Sequence, residues 1–210
     1  MKLIYGTTNS AKFITMHSAL KNLDVELTNL NEMNIILPNI DENGNTPLEN
    51  ARLKAFSFYQ LLHEPVFSCD SGLYFQNQNI PENLQPGLNI RRINGKRLND
   101  DEMIEYYSGL AREYGELTAY YKNAVCFVYD EQHIYESTDD SLNSKPFIII
   151  QKPHIKRVSG FPLDSLSVDI ESREYYFDKE NLSRGYEKIN KGFSDFFENC
   201  LNKLKVDFYD

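Results

Sequence analysis

The chain has 210 residues, 41% of them hydrophobic, and sets 31 Asp and Glu against 22 Lys and Arg for a net charge of −9. That length and apolar content suffice for a buried core without disulfides or a structural metal. The acidic balance excludes broad contact with a nucleic-acid backbone, which needs several phosphates neutralised, but not a small anionic ligand met by a few cations in one cleft.

Residues 2–6, KLIYG, read as a strand, and the following TTNSAKFITMHSALKN turns helical, with Phe13, Met16, Ala19 and Leu20 on one face. Thr8, Asn9 or Ser10 is placed to cap this helix, so its first-turn amides face whatever lies at the strand end. Lys12 falls in that first turn, where it opposes the helix dipole unless an anion binds. The opening apolar run is too short for a signal peptide and no later stretch approaches a membrane span, which predicts a cytoplasmic protein.

Residues 24–31 and 34–37 read as short strands, followed by the polar loop PNIDENGN. The stretch TPLENARLKAFSFYQLL opens with a clear helix start: Thr46 as N-cap, Pro47 at the first helical position and Glu49 three residues after the cap. Leu48, Ala51, Ala55, Phe58 and Leu62 form its apolar stripe, with Asn50, Lys54 and Ser57 on another. PVFSC predicts a strand that delivers Asp70, Ser71 and Gly72 at its end, where the glycine breaks it, with LYFQ continuing extended. Asp, Ser and Gly are ordinary turn formers, so this stretch alone favours a turn over a reactive carboxylate.

Residues 77–97 read as a loop, and Asn99 or Asp100 caps a helix through EMIEYYSGLA. A long strand runs through LTAYYKNAVCFVY, a second lies near His133–Ser137 and PFIII makes a third. VSGFPLDSL is an irregular loop, and EKINKGFSDFFENCLNKL a terminal amphipathic helix built on Ile189, Phe193, Phe196, Phe197, Leu201 and Leu204. Early helices interleaved with strands and a strand-rich middle predict an α/β fold with a mixed sheet and flanking helices. Cys69, Cys126 and Cys200 are odd in number and widely spaced, so neither a disulfide framework nor a zinc pattern forms, and Cys126 and Cys200 read as buried thiols. Trp is absent, so any aromatic shelf for a base is Phe or Tyr.

Four segments place polar groups at predicted element ends: Thr7–Lys12, Glu42–Lys54, Asp70–Gly72 and Phe161–Asp164. No Walker A, dinucleotide GxGxxG, nucleophile elbow or HExxH motif occurs. Lys12 and Lys54 supply positive charge, while Glu42 and Asp70 are hard oxygen donors of the kind magnesium takes alongside phosphates and water. These residues point to a phosphate-containing ligand with a divalent cation.

At these residues the chain resembles the Ham1/inosine triphosphate pyrophosphatase family, which clears non-canonical purine nucleoside triphosphates. The family's T-x-N-x-x-K appears as Thr7, Asn9 and Lys12. Its Glu before T-F-x-x-N-A-x-x-K-A appears as Glu42, Thr46, Asn50, Ala51, Lys54 and Ala55. Its D-D-S-G-L appears as CDSGL, and its P-G-x-x-x-x-R as Pro86, Gly87 and Arg92. Beyond residue 95 the match thins. The base-reading F-G-Y/W-D-P loop survives as Phe161 and Asp164, the family's Ser-His-Arg falls on Asn190, Lys191 and Gly192, and the first acid of the D-D pair is Cys69.

The resemblance implies a single domain over residues 1–210, an α/β fold whose mixed twisted sheet and flanking helices make two lobes around a nucleotide-binding groove, and a homodimer. It implies hydrolysis of ITP, dITP and XTP to the monophosphate and pyrophosphate by water attack at the α phosphorus, with Mg2+ held by Glu42 and Asp70. Asp70 and Lys54 then carry the catalysis, Asp70 positioning or deprotonating the water; Thr7, Asn9, Lys12, Asn50, Ser71, Arg92, Phe161 and Asp164 bind substrate. Two alternatives stand beside it: a non-catalytic nucleotide sensor on the same fold, or a pyrophosphatase with a shifted base preference.

Overall fold

The structure, a computed structural model, describes residues 1–179 and 186–209, with side chains as far as Asp207. It divides into two compact units. The first comprises Met1–Ser71, Asn123–Leu142 and Lys188–Asp210. Its strand β1, Lys2–Tyr5, lies parallel to β2, Glu26–Asn29, with Lys2 opposite Glu26 and Tyr5 opposite Asn29. On its other side β1 pairs in parallel with the start of β3, Val66–Phe75, where Ile4 faces Val66 and Tyr5 faces Phe67. Helix α1, Ser10–Leu20, connects β1 to β2, and α2, Pro47–Leu62, precedes β3, as the right-handed crossover of parallel strands requires.

The predicted start of α2 holds: Thr46 caps it by accepting from the Glu49 amide at 3.2 Å, and Pro47 is its first residue. Its small residues Ala51 and Ala55 let the helix approach Cys126 and Val128 at the end of β6, Leu117–Val128. Phe58 packs with Ile4, Leu30 and Val66. Antiparallel β7, Ile134–Ser137, pairs with β6 from Val125 to Val128. The terminal helix α4, Glu187–Tyr209, places Phe197 against Phe67 and Phe127, with ring centroids 4.7 and 5.7 Å away. The sheet is thus mixed and flanked by helices, as the sequence predicts, and all three cysteines are buried.

The second unit comprises Gly72–Lys122 and Asn143–Glu187. It contains the later part of β3, the first part of β6, antiparallel β8 at Phe147–Ile149 and β9 at Ser167–Val168. Helix α3, Asp100–Tyr114, opens on a full capping box, Asn99 accepting from the Glu102 amide while Glu102 accepts from the Asn99 amide. Its buried face, including Met103, Ile104, Tyr107 and Leu110, packs with Leu73, Leu117, Phe147, Ile149 and Leu163.

Three expectations need correction. Residues 34–37 form no strand: Asn34 has φ 48° and Ile36 is 95% exposed, so nothing holds the segment extended. The segment 77–97 is not only loop, since Arg92–Ile93 and Lys96–Arg97 form a hairpin, β4 and β5, about an Asn94-Gly95 turn with φ 50° and 80°. Most consequentially, the glycine break expected after Asp70 does not occur: β3 is one uninterrupted strand from Val66 to Phe75.

Candidate active site

Asp70 sits inside a continuous strand and is 8% exposed. A carboxylate so placed needs partners. Lys54 donates to its Oδ1 at 2.8 Å and Asn50 donates to its Oδ2 at 3.2 Å. Both come from α2, one turn apart, so the helix offers an amide and an ammonium to the two oxygens of one carboxylate.

Asn50 does a second thing. Its Oδ1 accepts from the Gly44 amide at 2.8 Å, fastening the loop before α2 to the same side chain that holds Asp70. That loop carries Glu42, whose Oε2 accepts from Lys54 Nζ at 3.1 Å. Glu42 and Asp70 therefore converge on one cationic centre, the Lys54 ammonium. Burial pulls the Lys54 pKa down, but the neighbouring Asp70 and Glu42 charges outweigh it and leave it raised.

The turn after β1 is equally built. Gly6 accepts from Ser68 Oγ at 3.2 Å, and a Cβ at Gly6 would fall 2.2 Å from that oxygen and 2.7 Å from the Phe58 ring, so only glycine fits. Thr7 Oγ1 accepts from the Asn9 amide, and Asn9 Oδ1 accepts from the amides of Ala11 and Lys12 at 2.9 and 3.1 Å. Asn9 is the N-cap, so two first-turn amides expected to face a ligand are taken by its side chain. Lys12 itself is half-buried in this turn. Burial lowers its pKa, and the Lys54 charge lowers it further. Two cations close enough to repel each other stabilise an anion that lies near both.

Cys69, where the family pattern has an acid, is 8% exposed, and burial pushes its thiol up to about 12. It is neutral at physiological pH. Ser71, two residues on along β3, is half-buried. Among the described residues no group of three His, Cys, Asp or Glu side chains is arranged to hold a metal. Glu42 and Asp70 both reach the Lys54 ammonium, and their hard carboxylate oxygens are the donor type that magnesium takes.

The predicted base-reading residues lie in the second unit. Phe161 leads a short 3-10 turn, Pro162–Ser165, held by Ser165 Oγ donating to the Pro162 carbonyl at 2.8 Å and by buried Leu163. Gly160 before it donates to Asp100 Oδ2 at 2.8 Å, and its carbonyl accepts from Arg91, whose other amino group pairs with Asp100 at 2.7 Å. Arg91 therefore fastens this loop, while Arg92, the residue that matches the family spacing, is exposed on β4. Asp164 Oδ1 accepts from the Tyr186 hydroxyl at 3.0 Å, and the Tyr186 ring lies 6.1 Å from that of Phe161. Sequence reasoning missed Arg91 and Tyr186; an arginine beside the matched one was its only cue to the first, and nothing marked the second.

Back in the first unit, the positions of the family's Ser-His-Arg are replaced in physical terms. Lys191 is exposed and pairs with Asp195 at 2.5 Å. Gly192 is pressed against the Ser141 carbonyl, where a Cβ would lie 2.3 Å from the oxygen.

The Ham1 family model matches residues 3–145. A dITP/XTP pyrophosphatase of Borrelia recurrentis is 34% identical over 95 residues, covering 42% of this chain and 46% of that protein. Another from Oceanobacillus iheyensis is 32% identical over 104 residues, covering 50% and 51%. The chain thus spans about half the length of these curated relatives. A solved HAM1 protein of Coxiella burnetii has a TM-score of 0.72 over 97% of this chain and 99% of that one at 19% identity, a likeness of fold.

Proposed function

The chain belongs to the Ham1 family, and from that premise we propose that it hydrolyses non-canonical purine nucleoside triphosphates, ITP, dITP and XTP, to the monophosphate and pyrophosphate. The observation that carries this reading is Lys54 held between Asp70 and Glu42, with Asn50 fixing both the strand and the loop that supply them. The names of the Borrelia and Oceanobacillus relatives support the substrate class.

Glu42 and Asp70 would hold a magnesium ion, which would screen the phosphate charge and polarise the phosphoryl oxygens. Lys12 and Lys54 bind the triphosphate and stabilise the charge that moves onto the leaving group. Asp70, its carboxylate oriented by Asn50, accepts a hydrogen bond from the attacking water and takes its proton. The water oxygen bonds to the α phosphorus as the bond to the α–β bridging oxygen breaks, and pyrophosphate departs with the electron pair. Thr7, Asn9 and Ser71 shape the phosphate side; Phe161 stacks on the base, Asp164 accepts from its N–H, and Arg92 contacts substrate.

The two units act as one Ham1-type domain, and the protein works as a cytoplasmic homodimer. No helix among the described residues is long and apolar enough to cross a membrane. The neutral thiol at Cys69 favours a second reading, a nucleotide sensor without turnover. A panel of nucleoside triphosphates assayed for pyrophosphate with and without magnesium separates the two. Magnesium-dependent pyrophosphate release from ITP, dITP and XTP is expected; orthophosphate release contradicts the pyrophosphatase reading, and binding of every nucleotide without turnover favours the sensor.

A further inference from the structure

We propose that Arg52 and Glu136 are a positioning pair for the reactive carboxylate: their ion pair fixes the roll of α2 on the sheet, and through Asn50 that roll aims Asp70. The inference rests on the functional reading above, in which Asp70 takes the proton of the attacking water. Every residue in it belongs to the first unit.

Three adjoining stripes run along the helix. Ala51 and Ala55 are wholly buried, packed with Cys126 and Val128 of β6. At about 100° per residue, Asn50 and Lys54 fall on one flank of that alanine seam and Arg52 falls on the other. The sheet sets a carboxylate beside each flank, because β6 lies between β3, which carries Asp70, and β7, which carries Glu136 opposite Cys126. On the first flank Asn50 donates to Asp70 Oδ2 at 3.2 Å and Lys54 donates to Oδ1 at 2.8 Å. On the second, Arg52 Nε and Nη2 donate to Glu136 Oε1 and Oε2, both at 2.5 Å. Two carboxylates thus hold the helix from opposite sides.

Alanine makes low ridges, so over the two turns that carry Asn50 and Lys54 the seam permits close approach but resists rolling weakly. The flanks have to supply that resistance. Arg52 and Glu136 are 46% and 24% exposed, and an ion pair so exposed ordinarily contributes little to stability. This one is bidentate, which fixes orientation as well as distance, and the guanidinium holds the Glu136 carboxyl below its ordinary range. A group about 5 Å from a helix axis moves by about 1 Å when the helix rolls by about 10°. Misplacement on that scale costs up to about a hundredfold in rate. Lys54 has a long stem that follows such a shift, whereas the short Asn50 side chain does not. Loss of the pair therefore misdirects Asp70 more than it weakens the grip on phosphate.

The test measures kcat and KM for ITP in Arg52→Met, in Glu136→Gln and in the charge-exchanged variant that combines Arg52→Glu with Glu136→Arg. Glu136→Gln keeps the side-chain shape, so the comparison does not hang on the larger changes being tolerated. Each single variant is expected to lower kcat by about tenfold, with KM and thermal unfolding near those of the wild type. The exchanged pair is expected to return kcat to within about threefold of the wild type. In an Asn50→Ala background, where the link to Asp70 is already cut, Arg52→Met is expected to change kcat by less than about twofold. Unchanged kcat in both single variants, no recovery in the exchanged pair, or a full further loss in the Asn50→Ala background overturns the inference and leaves the pyrophosphatase reading standing. Absence of pyrophosphate release from every purine triphosphate by the wild-type protein overturns both.

Discussion

Lys54 and Asp70 are coupled through a single short contact, 2.8 Å, inside a site where each is about one-eighth exposed. Asp70→Asn keeps the shape and the partner positions but removes the charge that orients water, so kcat is expected to fall by about a hundredfold or more while the protein melts as cooperatively as the wild type. Near-normal turnover would place the reactive centre elsewhere. Lys54→Ala is expected to weaken nucleotide binding as well as turnover, since the phosphates lose a cation in both states. The spacing of Asn50 and Lys54 was legible because four residues on a helix make one face, and their approach to Asp70 followed from the ordered motifs. Tyr186 was not legible, because its contact with Asp164 spans 22 positions and carries no local periodicity. The structural part of Arg91 was not legible either: its partners Asp100 and Gly160 are both distant in sequence.

Helix ends were the most readable elements and strand ends the least. Thr46, Pro47 and Glu49 define the start of α2 by local hydrogen bonding, and Asn99 and Glu102 do the same for α3. The break expected within β3 was misread because Asp-Ser-Gly composition favours a turn, whereas Leu73 and Gly87 exchange backbone hydrogen bonds of 2.9 and 3.0 Å that keep the strand extended. Tertiary pairing overrides turn preference there. The amphipathic pattern of α4 was legible, but its close approach to Ser141 was not, since a glycine in a helix reads as a weakness until its neighbour is known. Gly192→Ala is expected to destabilise the fold by about 1–3 kcal/mol, because the added methyl meets a backbone carbonyl rather than a movable side chain. Urea unfolding measures this; a midpoint equal to or above the wild type would show that the helix yields freely at that point.

At the scale of the whole molecule, the α/β class, the mixed sheet and the family were readable from the order of motifs between Thr7 and Arg92, and the family match extends through residue 145. The division into two units was expected from the early interleaved helices, the strand-rich middle and the resemblance, and not from any linker in the sequence. The proposed homodimer belongs to this scale. Light scattering at micromolar protein is expected to give twice the chain mass, and a monomer mass rejects it. In the proposed reaction, water attacks the α phosphorus of a nucleoside triphosphate bound at Lys12, Lys54 and Asp70. Hydrolysis of ITP in water labelled with heavy oxygen, followed by mass analysis of both products, tests it most directly: the label is expected in the nucleoside monophosphate and absent from the pyrophosphate, and label in pyrophosphate, or in orthophosphate with a nucleoside diphosphate as co-product, contradicts it.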